Sequence, residues 1–534
     1  MNSNHFQSLL IKINHKTMIT CPGHRPQPPH NLQNEDKRRR QLVTKSSPSR
    51  RAVVTAKSQS GEHLNLLMKN LQQPKRFLGK ALFTGAVLLT LGTRAHAQSA
   101  DALIDKLVEK GILTEREAQD LRDESDKNFT SAFQTKMGMP DWVTGYKISG
   151  DFRGRYEDYS SYNSAMLSRT RIRYRLRFGI TVNMLDNLET GFRLGSGDVA
   201  KGYNTATPLS DSSTFQNDFS KKDIFIDTAY GKWTMMNSGG WLVSATIGKM
   251  DTPFSFTPMV FDQDLTPEGG VIQSAWNIND KQSLSLNGGV FVLNENPVSS
   301  HDPFLYGGQF LWNAKWTDKL ATTLGFGGFQ IISADQLTTA NVPQINEGNT
   351  MVPFQPLVPV GAPLEYVLQD KFAPVIADAS VTYTLDTFPL YKGAFPLTAS
   401  AEYMNNTSTS QNNQGYWVGF QFGKAGTKGT WDICYRYEYL ESDAWYDQLV
   451  DDDNVAFYPG DNPGANVPYG TYGGTNVKGH LIKFDYSFTD SATFTVTCYV
   501  NNLISVTGLT PDFYVPDTKT SAMIHIMADM AWKF

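Results

Sequence analysis

The sequence predicts an all-β transmembrane protein: an antiparallel up-and-down β-barrel of about 16 strands (14–18), preceded by a short periplasmic helical hairpin. Three observations lead there. One stretch alternates arginine with apolar residues over a full strand length. Period-two runs of about ten residues recur from Trp142 to the end of the chain. The connections between those runs alternate long and short.

At the N-terminus, residues 1–67 are basic, with Arg38-Arg39-Arg40, and rich in Pro, Ser and Gln. They read as a disordered extension upstream of the natural start and receive no function. Residues 68–97 read as a secretory signal peptide. Met68 opens it, Lys69, Lys75, Arg76 and Lys80 form the basic flank, Ala81–Leu91 is the apolar core, and Ala95-His96-Ala97 is the cleavage site. No apolar run reaches the roughly 18 residues that a transmembrane helix needs.

Residues 98–138 change period and read as a periplasmic helical segment. Leu103, Ile104, Leu107 and Val108 fall at helical spacing, and Gly111 stops that helix. Thr114 and Glu117 have the spacing of a capping box that opens a second helix, with Ala118 and Leu121 as its apolar stripe. So short a hairpin has no core of its own and needs a neighbour: another copy of itself, the barrel mouth or a periplasmic partner. Self-association is the favoured reading, a mobile tether the bland one.

Residues 139–534 form the predicted barrel. In Ser168–Ile180, Arg169, Arg171, Arg173, Arg175 and Arg177 take the odd positions, while Thr170, Ile172, Tyr174, Leu176, Phe178 and Ile180 take the even ones. A strand sends alternate side chains to opposite faces, so one face carries five guanidiniums and the other is largely apolar. A soluble sheet could bury the apolar face; a membrane barrel would turn it to lipid and the arginines to water. Strands are expected near 143–156, 168–183, 188–196, 223–234, 241–250, 270–277, 282–293, 304–316, 320–332, 373–385, 394–404, 414–423, 430–440, 477–488, 491–502 and 519–534. The run at 270–277 is the poorest. Asp186-Asn187, Asn237-Ser238-Gly239, Asn279-Asp280, Thr317-Asp318 and Thr489-Asp490 mark tight turns. Between them lie the longer segments expected of extracellular loops, and an even strand number leaves both termini in the periplasm. A barrel of about 16–18 strands encloses an aqueous channel.

Mean hydropathy is −0.36. Without residues 1–97, which hold 16 of the 48 Lys and Arg and 3 of the 52 Asp and Glu, 32 basic residues stand against 49 acidic ones, a net charge near −17. That balance argues against a nucleic-acid partner. Cys434 and Cys498 remain; a disulfide is conceivable in an oxidising compartment, but unpaired strand residues are the default reading.

The last run, Ala522–Phe534, puts Ile524, Ile526, Ala528, Met530, Trp532 and Phe534 on one face and His525, Asp529 and Lys533 on the other. This resembles the C-terminal strand signature of Gram-negative outer-membrane barrels. Gly111-Ile112-Leu113-Thr114, the Arg169–Gly179 strand, the segment 191–197, Asp227-Thr228-Ala229-Tyr230, the segment 261–269, Glu441-Ser442-Asp443-Ala444 and the segment 473–479 resemble the bacterial "putative porin" family over most of residues 101–534. The resemblance implies a passive diffusion channel for small hydrophilic solutes and ions in the cell outer membrane. It also implies a homo-oligomer, with a trimer expected from the porin resemblance alone. The family carries no defined substrate, so the resemblance supports class more than cargo.

The pore-lining candidates are Arg169, Arg171, Arg173, Arg175 and Arg177, with Asp151, Arg153 and Arg155 on the inward parity of the preceding strand. Spaced about 6.6 Å apart, some of these cations should pair with acids. General porins fold their third loop inward, so by analogy Asp262, Asp264 and Glu268 are candidates for a constriction opposite the arginines. A bland alternative is that interior charges merely satisfy one another. No catalytic residue, metal site or cofactor is expected: only His301, His480 and His525 follow the signal, without a nucleophile or ligand motif. The rivals are a specific channel or receptor for anions or sugars, suggested by the arginines and an inward Trp417, a barrel adhesin, and an outer-membrane enzyme.

Overall fold

The computed structural model describes Val108, Thr114, Glu117, Ala118 and residues 140–534, except 162–167, 199–211, 217, 298, 340, 344–347, 355–364, 458–470, 473 and 506–520. The signal peptide and most of the predicted helical hairpin lie outside the described residues. The capping box itself is present: Thr114 Oγ1 and N both donate to Glu117 Oε2, at 2.8 and 2.9 Å, and Glu117 N donates back to Thr114 Oγ1 at 3.3 Å.

Sixteen long strands form one antiparallel sheet. They are β1 (Val143–Ser161), β2 (Arg169–Met184), β3 (Leu188–Gly197), β4 (Asp223–Ser238), β5 (Trp241–Lys249), β6 (Glu268–Asn279), β7 (Gln282–Val292), β8 (Phe304–Lys315), β9 (Leu320–Ile332), β10 (Pro374–Leu385), β11 (Phe395–Asn406), β12 (Gln414–Gly423), β13 (Trp431–Leu440), β14 (Val477–Thr489), β15 (Ala492–Leu503) and β16 (Met523–Lys533). Each pairs with its sequence neighbour, and β1 also pairs with β16, so the sheet closes on itself. Every predicted strand is found. The largest shifts are at the ends: β1 runs on to Ser161 because Tyr159, Ser160 and Ser161 pair with His525, Ile524 and Met523 of β16.

Turn chemistry explains the short connections. Asp186 and Asn187 both take φ +60°, the left-handed region that Asp and Asn tolerate, and join β2 to β3. Gly239 and Gly240, at φ +62° and +81°, make the two-residue turn between β4 and β5.

Burial separates the two faces of the wall. Ile172, Leu176, Phe178, Ile272, Leu286, Phe326, Tyr416, Val418, Phe420 and Phe422 are exposed, as a lipid-facing belt is in an isolated chain. The buried apolar cluster lies on the inner face. It joins Val271, Phe291, Leu305, Phe329, Ile331, Ile376, Met404 and Leu440 of the wall to residues of three long loops. These are L3 (residues 250–267), L5 (333–373) and L7 (441–476). The third loop, L5 and L7 all contribute residues to this inner cluster. Cys434 shares the inner parity of Arg436 and Cys498 the outer parity of exposed Val500, and both thiols are free.

Candidate functional site

The inner face of β1 and β2 is a ladder of charges in register: Asp151 opposite Arg177, Arg153 opposite Arg175, Arg155 opposite Arg173, Glu157 opposite Arg171, and Tyr159 opposite Arg169. Five guanidiniums on one wall would repel, and acids on neighbouring strands offset this. Glu157 takes Arg171 in a close pair and Arg173 at 3.7 Å. Asp151 bridges Arg175 and Arg177 at 3.0 and 2.7 Å. Asp529 of β16 holds Arg155 with two bonds of 2.8 and 2.9 Å and reaches Arg153 at 4.0 Å. Arg171 also lies over the Tyr159 ring, 5.4 Å from its centroid. On β3, Arg193 pairs with Asp227 and Asp251. The wall is thus charge-paired along its length rather than a bare positive track.

The loops supply the other side. Asp264 of L3 reaches Arg175 at 3.2 Å. From L7, Asp453 meets Arg155 at 3.4 Å, and Asp451 meets Arg436 of β13 at 3.4 Å. His525 lies between wall and loop, with Nε2 3.2 Å from Glu157 Oε1 and Nδ1 3.0 Å from the Asp453 carbonyl oxygen. The tips of L3 and L7 are tied through their backbones. Asp262 N donates to Leu449 O at 2.8 Å, Asp451 N to Pro258 O at 3.0 Å, and Asp452 N to Asp262 Oδ2 at 3.2 Å.

Inward polar residues hold L3 in place. Asn287 Nδ2 donates to Pro253 O at 3.0 Å, Ser255 N donates to Gln309 Oε1 at 2.8 Å, and Thr257 bonds Glu402 through both its N and its Oγ1. A Cβ on the inward Gly327 would strike the Phe256 ring, so glycine is what lets L3 lie flat on the wall. Trp445 of L7 is fully buried and donates its indole N–H to Val260 O at 2.8 Å. Asn349 of L5 bonds the Ser442 and Trp445 carbonyls, binding L5 to L7.

The electrostatics of the loop acids follow from this crowding. Burial, then Asp452, Asp451 and Asp264, push the Asp262 carboxyl well above the ordinary carboxylate range. Asp452 keeps contact with water, but desolvation by the wall and loops that surround it, then Asp453, Asp451 and Asp264, push its carboxyl up to about 7. Burial also works against ionisation of Asp264, but the Arg175, Arg153 and Arg177 guanidiniums outweigh it and hold its carboxyl below that range.

Two of the sequence-predicted constriction residues need correction. Glu268 is not in the loop; it begins β6, is 66% exposed and pairs with Lys249 across the strands at 3.1 Å. Asp262 faces the acids of L7 instead of the arginines, because the L3–L7 backbone bonds turn it that way. Trp417 packs against the buried cluster. Sequence reasoning missed Asp451 and Asp453, because an acidic run in a long loop reads as exterior, and it missed Asp529, which lies 374 positions from the arginine it binds.

No curated protein matches the sequence. Solved structures with a similar fold include OprB of Pseudomonas putida at high pH, with 12% identity over 73% of this chain and 94% of that one and a TM-score of 0.42. OmpF of Salmonella typhi in complex with daunomycin aligns at 10% identity over 73% and 97% of the two chains, TM-score 0.39. A triple mutant of the Rhodopseudomonas blastica porin aligns at 12% identity over 73% and 100%, TM-score 0.34. Residues 159–354, from the end of β1 into L5, match the family model described as "Putative porin".

Proposed function

We propose that this porin is a passive diffusion channel for small hydrophilic solutes and ions. Its narrowest passage runs beside the acidic tips of L3 and L7, at the level where they dock on the arginine wall of β1–β2. The observation that carries the reading is the meeting of both signs of charge at one level of the lumen: Arg175 with Asp264, and Arg155 with Asp453. Paired rows of both signs facing the water of the lumen orient dipolar solutes and weigh cations against anions, while the apolar packing of L3 and L7 on the far wall limits size. In this reading Arg153, Arg155 and Arg169–Arg177 at odd positions line the passage, and Asp151 keeps their spacing. A homo-oligomer, trimeric by analogy with porins, is part of the same proposal.

Planar-bilayer recording in a salt gradient, with graded neutral solutes, tests channel, size and ion preference together. Replacing Arg171, Arg173 and Arg175 with Gln unmasks Glu157, Asp151 and Asp264, so the reversal potential should move toward that of the cation. An unmoved reversal potential would remove the arginines from the selectivity mechanism, and a protein without conductance would remove the channel reading.

A further inference from the structure

The acids of the L7 tip are not equivalent. Asp451 is buried, accepts from Arg436 at 3.4 Å and from the Tyr499 hydroxyl at 3.1 Å, and its backbone N–H is bound to L3. Asp453 is half-buried and pairs with Arg155. Asp452, between them, is exposed. Its backbone is fixed by the bond from its N–H to Asp262, so the side chain is presented from a tethered point. Water reaches this carboxylate although wall and loops surround it, as befits a group facing an enclosed aqueous space. The loop that carries it is docked on both the apolar cluster and the arginine wall, inside the barrel.

We propose that Asp452 of L7, rather than an acid of L3, is the carboxylate that sets the ion preference of the passage, favouring small hydrated cations. The inference rests on the channel reading above. Asp264 is committed to Arg175, and the Asp262 carboxylate accepts from the Asp264 and Asp452 backbone amides. Neither is as free to meet a passing ion. An exposed charge in a confined, poorly screened space acts on ions far more strongly than the same charge on an open surface.

The test is the potassium-to-chloride permeability ratio of the full-length protein in planar bilayers above pH 7, for wild type, Asp452→Asn, Asp452→Glu and Asp318→Asn. Asn keeps the size of the side chain and leaves the backbone bond to Asp262 intact. The ratio should fall about two-fold or more in Asp452→Asn. It should be restored in Asp452→Glu and stay unchanged in Asp318→Asn, which alters an exposed acid in a short turn. Uptake of a neutral sugar into liposomes should be the same for all four. A conducting Asp452→Asn channel with the wild-type ratio overturns the role of Asp452 and leaves the channel reading standing. A wild-type protein that does not conduct overturns the channel reading itself.

Discussion

At the scale of single residues, alternation alone put the arginines on one face of their strand, since a strand offers only two. A midplane arginine turned to lipid costs roughly 2–4 kcal/mol. Their partners were less legible. Glu157 and Asp151 share a hairpin with them, but Asp529, Asp264 and Asp453 come from remote sequence, brought in by closure and by loop folding. The same crowding gives a pH dependence. Asp262 and Asp452 hold protons more tightly when L7 is docked on L3 than they would in a free loop, where a carboxyl titrates near 4. Their contribution to docking is therefore fully present below that ordinary range and is lost as pH rises, for Asp452 through about 7. Asp264 has the opposite sign, but its contribution fades only at more acid pH. Backbone amides at the L3–L7 contact should thus be better protected from hydrogen exchange at pH 5 than at pH 8, after correction for intrinsic rates, and Asp452→Asn should flatten the difference. Protection that grows with pH would contradict this.

At the scale of elements, strands and turns were readable because each carries a local signal: period two in the strands, and Asp-Asn or Gly pairs where φ is positive. The inward loops carry no such period. Their docking is written in scattered single residues, such as Asn287, Gln309 and Glu402 on the wall and Phe254, Phe261 and Trp445 on the loops. Trp445 is the joint of this assembly: its ring packs edge-on to Phe261, 6.3 Å between centroids, and to Phe372 at 6.2 Å, and its N–H binds L3. Trp445→Ala should cost about 3–5 kcal/mol of loop docking. The barrel should remain, because its strand pairing does not involve Trp445. The expected outcome is a folded protein with larger and noisier conductance, and L7 newly open to protease. Unchanged conductance with L7 still protected would show that L7 is held elsewhere.

At the scale of the whole molecule, the cylinder depends on one seam. Fifteen of its strand pairings join sequence neighbours, whereas β1–β16 joins the two ends of the sheet. Strand count and apolar faces made closure foreseeable, but not its register. At the lower end of the seam Phe534 exchanges two backbone bonds with Gly150, 2.9 and 3.0 Å, and its ring lies where a Cβ on Gly150 would be. A larger residue there must displace both that ring and the Arg177 carbonyl of β2, so both neighbours of β1 are affected at once. Gly150→Val should therefore slow or weaken closure, whereas Gly154→Val, with open space around its Cβ position, should not. Heat-modifiable electrophoretic migration of refolded protein distinguishes the two, since a closed barrel migrates differently from its unfolded chain. Equal yields of folded protein from both variants would mean that the seam tolerates a shift at Gly150, and that closure is secured by the pairs from Asp151 to Ser161 alone.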